Sequence, residues 1–379
     1  MIVHEKINAA IRAYVAHEFQ HPSPRIFSRS VDQLVAMREL IVASDETGHI
    51  TPSVVSDVLY ELFPVTTNVP SGSAQSVEIE RIGNALCEAF RELPRLYKIV
   101  INVPGIKVKT GFGYTVSEEI GCFAAAAAAA ADLSGQEKSN DGLSGLNIEI
   151  RLRGYYGCFE KDALLDSAWS KLRQIAFFLS YSSGGTRGND PSSDPAVPRL
   201  IDDRGREYLL SIPHGLAEFV GQLAYDGEVR VKGQESLGSQ LSRLLNYVRS
   251  FYEKSGEPAR DHERLAAAME WLVDSLSLSD QTMAYLAACI GLESLLGEDG
   301  GDTPTSRLQD RYAYTLGKTR AERKRLASDM HEVFTLRGQL VHARASRLKG
   351  KDAASLSKIR RMLALCLGAE VRAYLGDLP

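Results

Sequence analysis

Residues 334–350 read FTLRGQLVHARASRLKG, and within them RGQLVH places Arg337 and His342 five positions apart with Gly338 beside the arginine. A permanent cation and a group that titrates near neutrality, this close together, suit RNA transesterification. In that reaction the ribose 2′-OH loses a proton and attacks the next phosphorus, while the leaving 5′-oxygen gains one. Histidine can serve either transfer. An arginine fork matches the extra negative charge on the phosphorane oxygens and stays protonated throughout. This chemistry needs no metal and no cofactor. The plainer reading of the same residues is a basic helix face on which His342 caps or packs a helix and Arg337 pairs with a glutamate.

Other chemistries find less support. His17-Glu18-Phe19-Gln20-His21 matches HExxH, the pattern that puts two zinc ligands one turn apart beside a general base. Taken literally it makes the chain a zinc metallopeptidase, the less favoured alternative. Pro22 follows at once and pulls His21 away from helical backbone angles, so the string is read as a chance match and no metal site is assigned. His331-Glu332 begins a second such string, but Thr335 stands where the second histidine belongs. No GxSxG elbow is present, and no cysteine has an evident histidine partner. The turn-rich stretch SSGGTRGNDPSSDPAVP (182–198) lacks the Lys-Ser/Thr ending of a phosphate-binding loop and reads as a loop without a nucleotide.

The elements that must carry these residues fall into three regions. Residues 5–20, 28–43, 51–63 and 76–93 show helical spacing, with Ser30 and Ser53 as caps and Pro64, Pro70 and Pro94 as stops, giving a helical N-terminal region over 1–95. Strand-like runs at 97–103, 146–152 and 206–212 then alternate with an alanine-rich helix beginning in IGCFAAAAAAAA (120–131) and a helix at 160–180. These make 96–235 a mixed α/β region with a possible sensing or regulatory role. From 238 to 379 helices are expected at 238–254, 261–277, 280–297, 305–316, 319–345 and 352–375, and their short links favour an antiparallel bundle. The fold class is therefore α+β and mainly helical. Within the 319–345 helix, Gly338 is expected to break or kink the rod, and Val333, Phe334, Leu336, Leu340 and Val341 to form its buried stripe.

Charge adds to this pattern. From Gly317 to Arg361 thirteen Lys/Arg face four Asp/Glu, a local balance of +9 in a chain of net charge −4, which leaves the remainder near −13. A concentrated basic stretch on an acidic protein attracts polyanions, and Arg344, Arg347, Lys349 and Lys351 extend the charge beyond His342 as candidate RNA contacts. Five scattered cysteines without a CxxC pair argue against a disulfide framework or a zinc ribbon and for a reducing compartment. With no apolar leader at the N-terminus and no apolar run long enough to span a bilayer, a cytoplasmic protein without membrane contact is expected.

The run from about 260 to 376 resembles the HEPN superfamily, in particular its ApeA-like HEPN domains, through an aromatic followed by R-x4-H: Phe334, Arg337, Leu340, Val341 and His342. ACIGLESLLG (288–297) is similar to the family's acidic helix and sets Glu293 as the carboxylate facing the motif. The helix from Thr305 and the run TRAERKRL (319–326) fall in family order, and the preceding β/α segment is reminiscent of regions that precede this domain. The resemblance implies a helical bundle that cuts RNA without metal and dimerises through the motif helices, so that two R-x4-H copies share one cleft. It assigns catalysis to Arg337 and His342 and an orienting role to Glu293. It also implies an antiphage defence or toxin-type system, with the N-terminal region as the place for a regulatory partner or phage trigger. The alternative within the family is a non-catalytic module for RNA binding or assembly. Gly338 stands where catalytic relatives usually carry a polar residue, Ala343 where glycine is common, and Arg344 where some relatives carry a tyrosine that is modified.

Overall fold

The computed structural model describes residues 2–20, 32–43, 50–62, 73–109, 111–125, 143–157, 162–182, 198–223, 237–255, 259–297, 305–342, 347–348 and 353–376. Among them the fold is α+β and mainly helical, with twelve helices and a six-stranded sheet. Four helices come first: α1 (Ile2–Gln20), α2 (Asp32–Ala43), α3 (Pro52–Leu62) and α4 (Ser73–Arg91). Their apolar faces meet in a core that includes Ile11, Tyr14, Met37, Val55, Leu59 and Leu86. The start of α3 corrects one expectation. The cap is Thr51, whose Oγ1 accepts from the Val54 amide at 3.3 Å, and Ser53 lies inside the helix. Pro52 sits at the first helical position, where its missing N–H is no loss. Ser30, Pro64 and Pro70 lie outside the described residues.

The strands are β1 (Arg95–Lys109), β2 (Gly113–Thr115), β3 (Ile120–Ala124), β4 (Leu143–Gly154), β5 (Arg199–Asp202) and β6 (Glu207–Leu209), in the order β2-β3-β4-β1-β5-β6. β3 runs antiparallel to both β2 and β4, with Cys122 opposite Tyr114 on one side and Ile148 on the other. β3 overturns part of the reading of 120–131 as helix. Helix propensity of the alanines is outweighed at its start by burial of Ile120 and Cys122, an alternation that fits a half-buried strand. Residues 126–131 lie outside the described residues. The run at 206–212 supplies only a short strand over 207–209, and β2, β5 and the helix α6 (His214–Gly221) carry too few residues for a period to show.

The remaining helices are α5 (Asp162–Ser182), α7 (Leu237–Glu253), α8 (Ala259–Ser277), α9 (Gln281–Leu296), α10 (Thr305–Leu316), α11 (Arg320–Val341) and α12 (Ala353–Leu375). From α7 onward they match the expected helices to within a few residues, save that α11 stops at Val341. The chain forms two compact units. One comprises 1–98, 151–168 and 201–207; the other comprises 99–150, 169–200 and 208–379 and contains all of α7–α12. These units are discontinuous in sequence, whereas the regions 1–95, 96–235 and 238–379 follow changes of hydrophobic period.

In the second unit α9 is the central rod of the bundle, packed by α8, α12, α11 and α10. Ala284, Tyr285, Ala288, Cys289, Leu292 and Leu296 are buried along it, so it has almost no solvent face. Its N-terminus is capped by Asp280, which accepts from the Thr282 and Met283 amides. At Gly291 a Cβ would lie 2.6 Å from Leu363 Cδ2 and 3.1 Å from Trp271 Cβ, so the Leu363 and Trp271 side chains already fill the space a larger residue would need.

Candidate functional site

α11 begins with a capping box. The Thr319 side chain accepts from the Glu322 amide, and the Glu322 carboxylate accepts from the Thr319 amide. The helix is anchored through Met330, Val333 and Phe334. The Tyr285 hydroxyl on α9 reinforces that anchor by donating to the Val333 carbonyl at 2.7 Å. Beyond Phe334 the helix emerges. Leu336 and Leu340 are half-buried and Val341 is 52% exposed, so the apolar stripe is shorter than its sequence spacing suggests. Gly338 neither breaks nor ends the helix, and the His342 amide donates to its carbonyl at 3.1 Å. The neighbouring turns supply the hydrogen bonds that carry the rod past a residue of low helix propensity. A Cβ at Gly338 would meet nothing within 4 Å.

The structure brings two of the three candidate catalytic residues together. Arg337 Nη2 donates to Glu293 Oε2 at 2.9 Å, joining α11 to α9, and each side chain is 31% exposed. Among the described residues Arg337 Nε and Nη1 make no hydrogen bond; the Phe334 ring centroid lies 5.9 Å from Cζ and steers the guanidinium. Burial raises the Glu293 carboxyl above the usual carboxylate range, and Arg337 opposes that rise through its charge and hydrogen bond. The carboxylate orients the arginine through one nitrogen and leaves the rest of the fork open.

His342 is the C-cap residue of α11 and is exposed. Along an uninterrupted helix, five residues turn through about 500°, so Arg337 and His342 point in different directions from one rod. The last turn of α9, which carries Glu293, is held from two sides. Arg264 on α8 donates to the Leu295 carbonyl, and Arg311 on α10 donates to the Leu296 carbonyl at 2.7 Å and to the Gly297 carbonyl at 3.1 Å. Tyr285, Arg264 and Arg311 were not legible as site supports, because each acts on a backbone carbonyl and such contacts leave no spacing signal.

Of the four expected RNA contacts, Arg347 is exposed beside Leu348, whose amide donates to Thr282 Oγ1 at 3.0 Å; Arg344, Lys349 and Lys351 lie outside the described residues. His17 to Gln20 form the last turn of α1, and His21 lies outside the described residues. Among the described residues no group of three or more His, Cys, Asp or Glu could hold a metal ion. Cys87, Cys122, Cys289 and Cys366 are buried, and burial pushes the Cys122 and Cys366 thiols up to about 12. None of these sulfurs is placed for nucleophilic work. No helix among the described residues is long and apolar enough to cross a membrane.

Comparison with protein-family models, with curated proteins and with solved structures finds no match for this chain.

Proposed function

We propose that the chain is a HEPN-type, metal-independent endoribonuclease that cleaves RNA by 2′-OH transesterification, acting as a homodimer. The observation that carries this reading is the state of Arg337: held by Glu293 through one nitrogen, half-exposed, with its other donors uncommitted. A guanidinium placed to receive two phosphate oxygens needs both an anchor and a free edge. His342, exposed on the next turn, supplies the proton transfer.

The same geometry supports a dimeric reading. One rod presents Arg337 and His342 in different directions, and one histidine cannot easily act as base and acid in a single step. A second copy supplies both, and exposed Val341 beside His342 offers apolar surface for it to cover. Arg344, Lys349 and Lys351 would join Arg347 in holding the strand, and an antiphage or toxin role places the trigger at the N-terminal region. The non-catalytic reading draws on one observation: Glu293 already neutralises Arg337, as a purely structural ion pair would. The test is incubation of the purified protein with RNA in the presence of EDTA, with analysis of product ends. Fragments with 2′,3′-cyclic phosphate and 5′-OH ends support the enzyme, and intact RNA bound to a dimer supports the module.

A further inference from the structure

We propose that the exposed cations on the first half of α11, together with Arg361 on α12, form a second RNA surface that holds the phosphate backbone of a single strand outside the cleft. The proposal rests on the ribonuclease reading for its ligand, but not on the identity of the catalytic groups.

The structure sorts the basic stretch into engaged and unengaged charges. Arg323 donates to the Gly317 carbonyl, Arg337 holds Glu293, Lys358 bridges Asp329 and Glu332, and Arg360 donates to Ser275. Among the described residues of this stretch the acids are spent as well. Glu322 is occupied by the capping box, and Asp329 and Glu332 by Lys358. Arg320, Lys324, Arg325 and Arg361 are exposed and make no ion pair within 4 Å among the described residues, and of these Arg325 also acts by its charge on Glu322. Arg325 and Arg361 stand close enough to act on one group. Burial raises the Tyr312 phenol, and the two cations draw it back.

Their position is costly for the helix. The N-terminal end of a helix carries partial positive charge, so a cation in the first turns is unfavourable by about 0.3–1 kcal/mol where an acid would be favourable. α11 begins with Arg320 and continues through Arg323, Lys324 and Arg325, with Glu322 as the only acid in its first turn. Helix stability does not account for such a choice; attraction of a polyanion does. The capping box already occupies amides at this terminus, so the contact falls to the side chains. The occupant is a single strand because an aromatic adjoins Arg323, on the same turns of α11 as the exposed cations. Tyr314, 65% exposed near the end of α10, has the Arg323 guanidinium 4.3 Å from its ring centroid, the arginine–aromatic arrangement on which unpaired bases stack. Lys324 lies about 20 Å along the helix axis from Arg337 and about 140° round it, so this surface is separate from the cleft.

The test compares full-length His342→Ala with the same protein carrying Arg320→Gln, Lys324→Gln, Arg325→Gln and Arg361→Gln, using a labelled single-stranded RNA and fluorescence anisotropy across a salt series. The expected result is at least tenfold weaker binding at physiological salt and a salt slope smaller by about 2–3, from roughly 0.7 per lost contact. The melting temperature should hold or rise. Tyr314→Ala should weaken binding about tenfold without changing the slope. Unchanged affinity and slope would overturn the proposal, as would a lowered melting temperature, which would make the cations structural. Equal binding of poly-glutamate or preference for duplex DNA would also overturn it, as would no RNA binding by the parent. Loss of binding in the four-fold variant, combined with no cleavage by the unmutated chain, would keep this surface and remove the nuclease reading.

Discussion

Two polar nodes in the second unit use similar side chains to different ends. Between α5, α7 and α8, Ser170 and Gln174 both donate to Glu270, and Tyr252 donates to Gln174 Oε1 at 2.8 Å. Gln174 is buried and each of its polar atoms has a partner. Between α9 and α11, Arg337 meets Glu293 through one bond at a half-exposed surface and keeps its other donors open. A closed node fixes helices and has nothing left to give. An open node fixes one edge of a side chain and leaves the other for a ligand. Completeness of hydrogen bonding, more than residue type, separates the two roles.

The largest effect that can break this contrast is on cleavage. His342→Ala should slow single-turnover RNA cleavage by roughly 10²–10⁴-fold, the usual worth of a positioned acid or base, with RNA affinity retained. Arg337→Lys should also cut poorly, because an ammonium keeps the charge but not the fork. If both variants stay folded and dimeric and cut as fast as the parent, the open node has no catalytic use.

At the closed node the effect should be on stability alone. Tyr252→Phe leaves the Gln174 oxygen buried without its donor and should cost about 1–3 kcal/mol in urea unfolding. Cleavage per folded molecule should not change, and an activity loss beyond the unfolded fraction would blur the contrast.

The Glu293–Arg337 pair should also show itself in pH dependence. Because burial holds the Glu293 pKa above its ordinary value, the folded state binds this proton more tightly than the unfolded chain does. Its contribution is therefore fully present below the ordinary glutamate pKa and is lost as pH rises through the raised one. Unfolding free energies of parent and Glu293→Gln, measured from pH 3.5 to 7.5, should diverge in that sense. The variant should also lose the acid limb of the pH–rate profile, since only ionised Glu293 orients the arginine. Parallel curves would mean that the carboxylate senses neither burial nor its partner.

The smallest effect concerns Gly338. With an uninterrupted helix and open space at the Cβ position, Gly338→Ala should stabilise the protein by about 0.5–1 kcal/mol and leave cleavage near the parent rate. Destabilisation would show that the helix needs a distortion at this point.

The helices of the bundle were legible because their periods are long and their stops are strong. Asp280 and Thr319 cap where the breaks fall, and α10 begins and ends at the expected residues. Failures came where tertiary contacts outweighed local preference. Ile120 and Cys122 draw the start of an alanine-rich run into the sheet, and the helix around Gly338 continues through a poor former. Arg337 and His342 stood out by type and spacing. Glu293 did not, since one acid in ACIGLESLLG has no periodic signature, and only the resemblance picked it out before the structure placed it against Arg337. The supports of the site stayed hidden, because Arg264, Arg311 and Tyr285 bond to carbonyls rather than to side chains.

Gly291 turns the tight seat of α9 into a place where temperature sensitivity can be built in. Any larger residue there must push Leu363 or Trp271 aside, and overpacking of this kind costs about 1–3 kcal/mol. Because Glu293 follows on the same helix, a shift of α9 reaches Arg337 directly. Gly291→Ala should therefore give a temperature-conditional protein, competent when cold and lost on warming. On the proposed ribonuclease reading the protein would harm the cell that makes it, and such an allele would let it be produced silently and studied by a change of temperature.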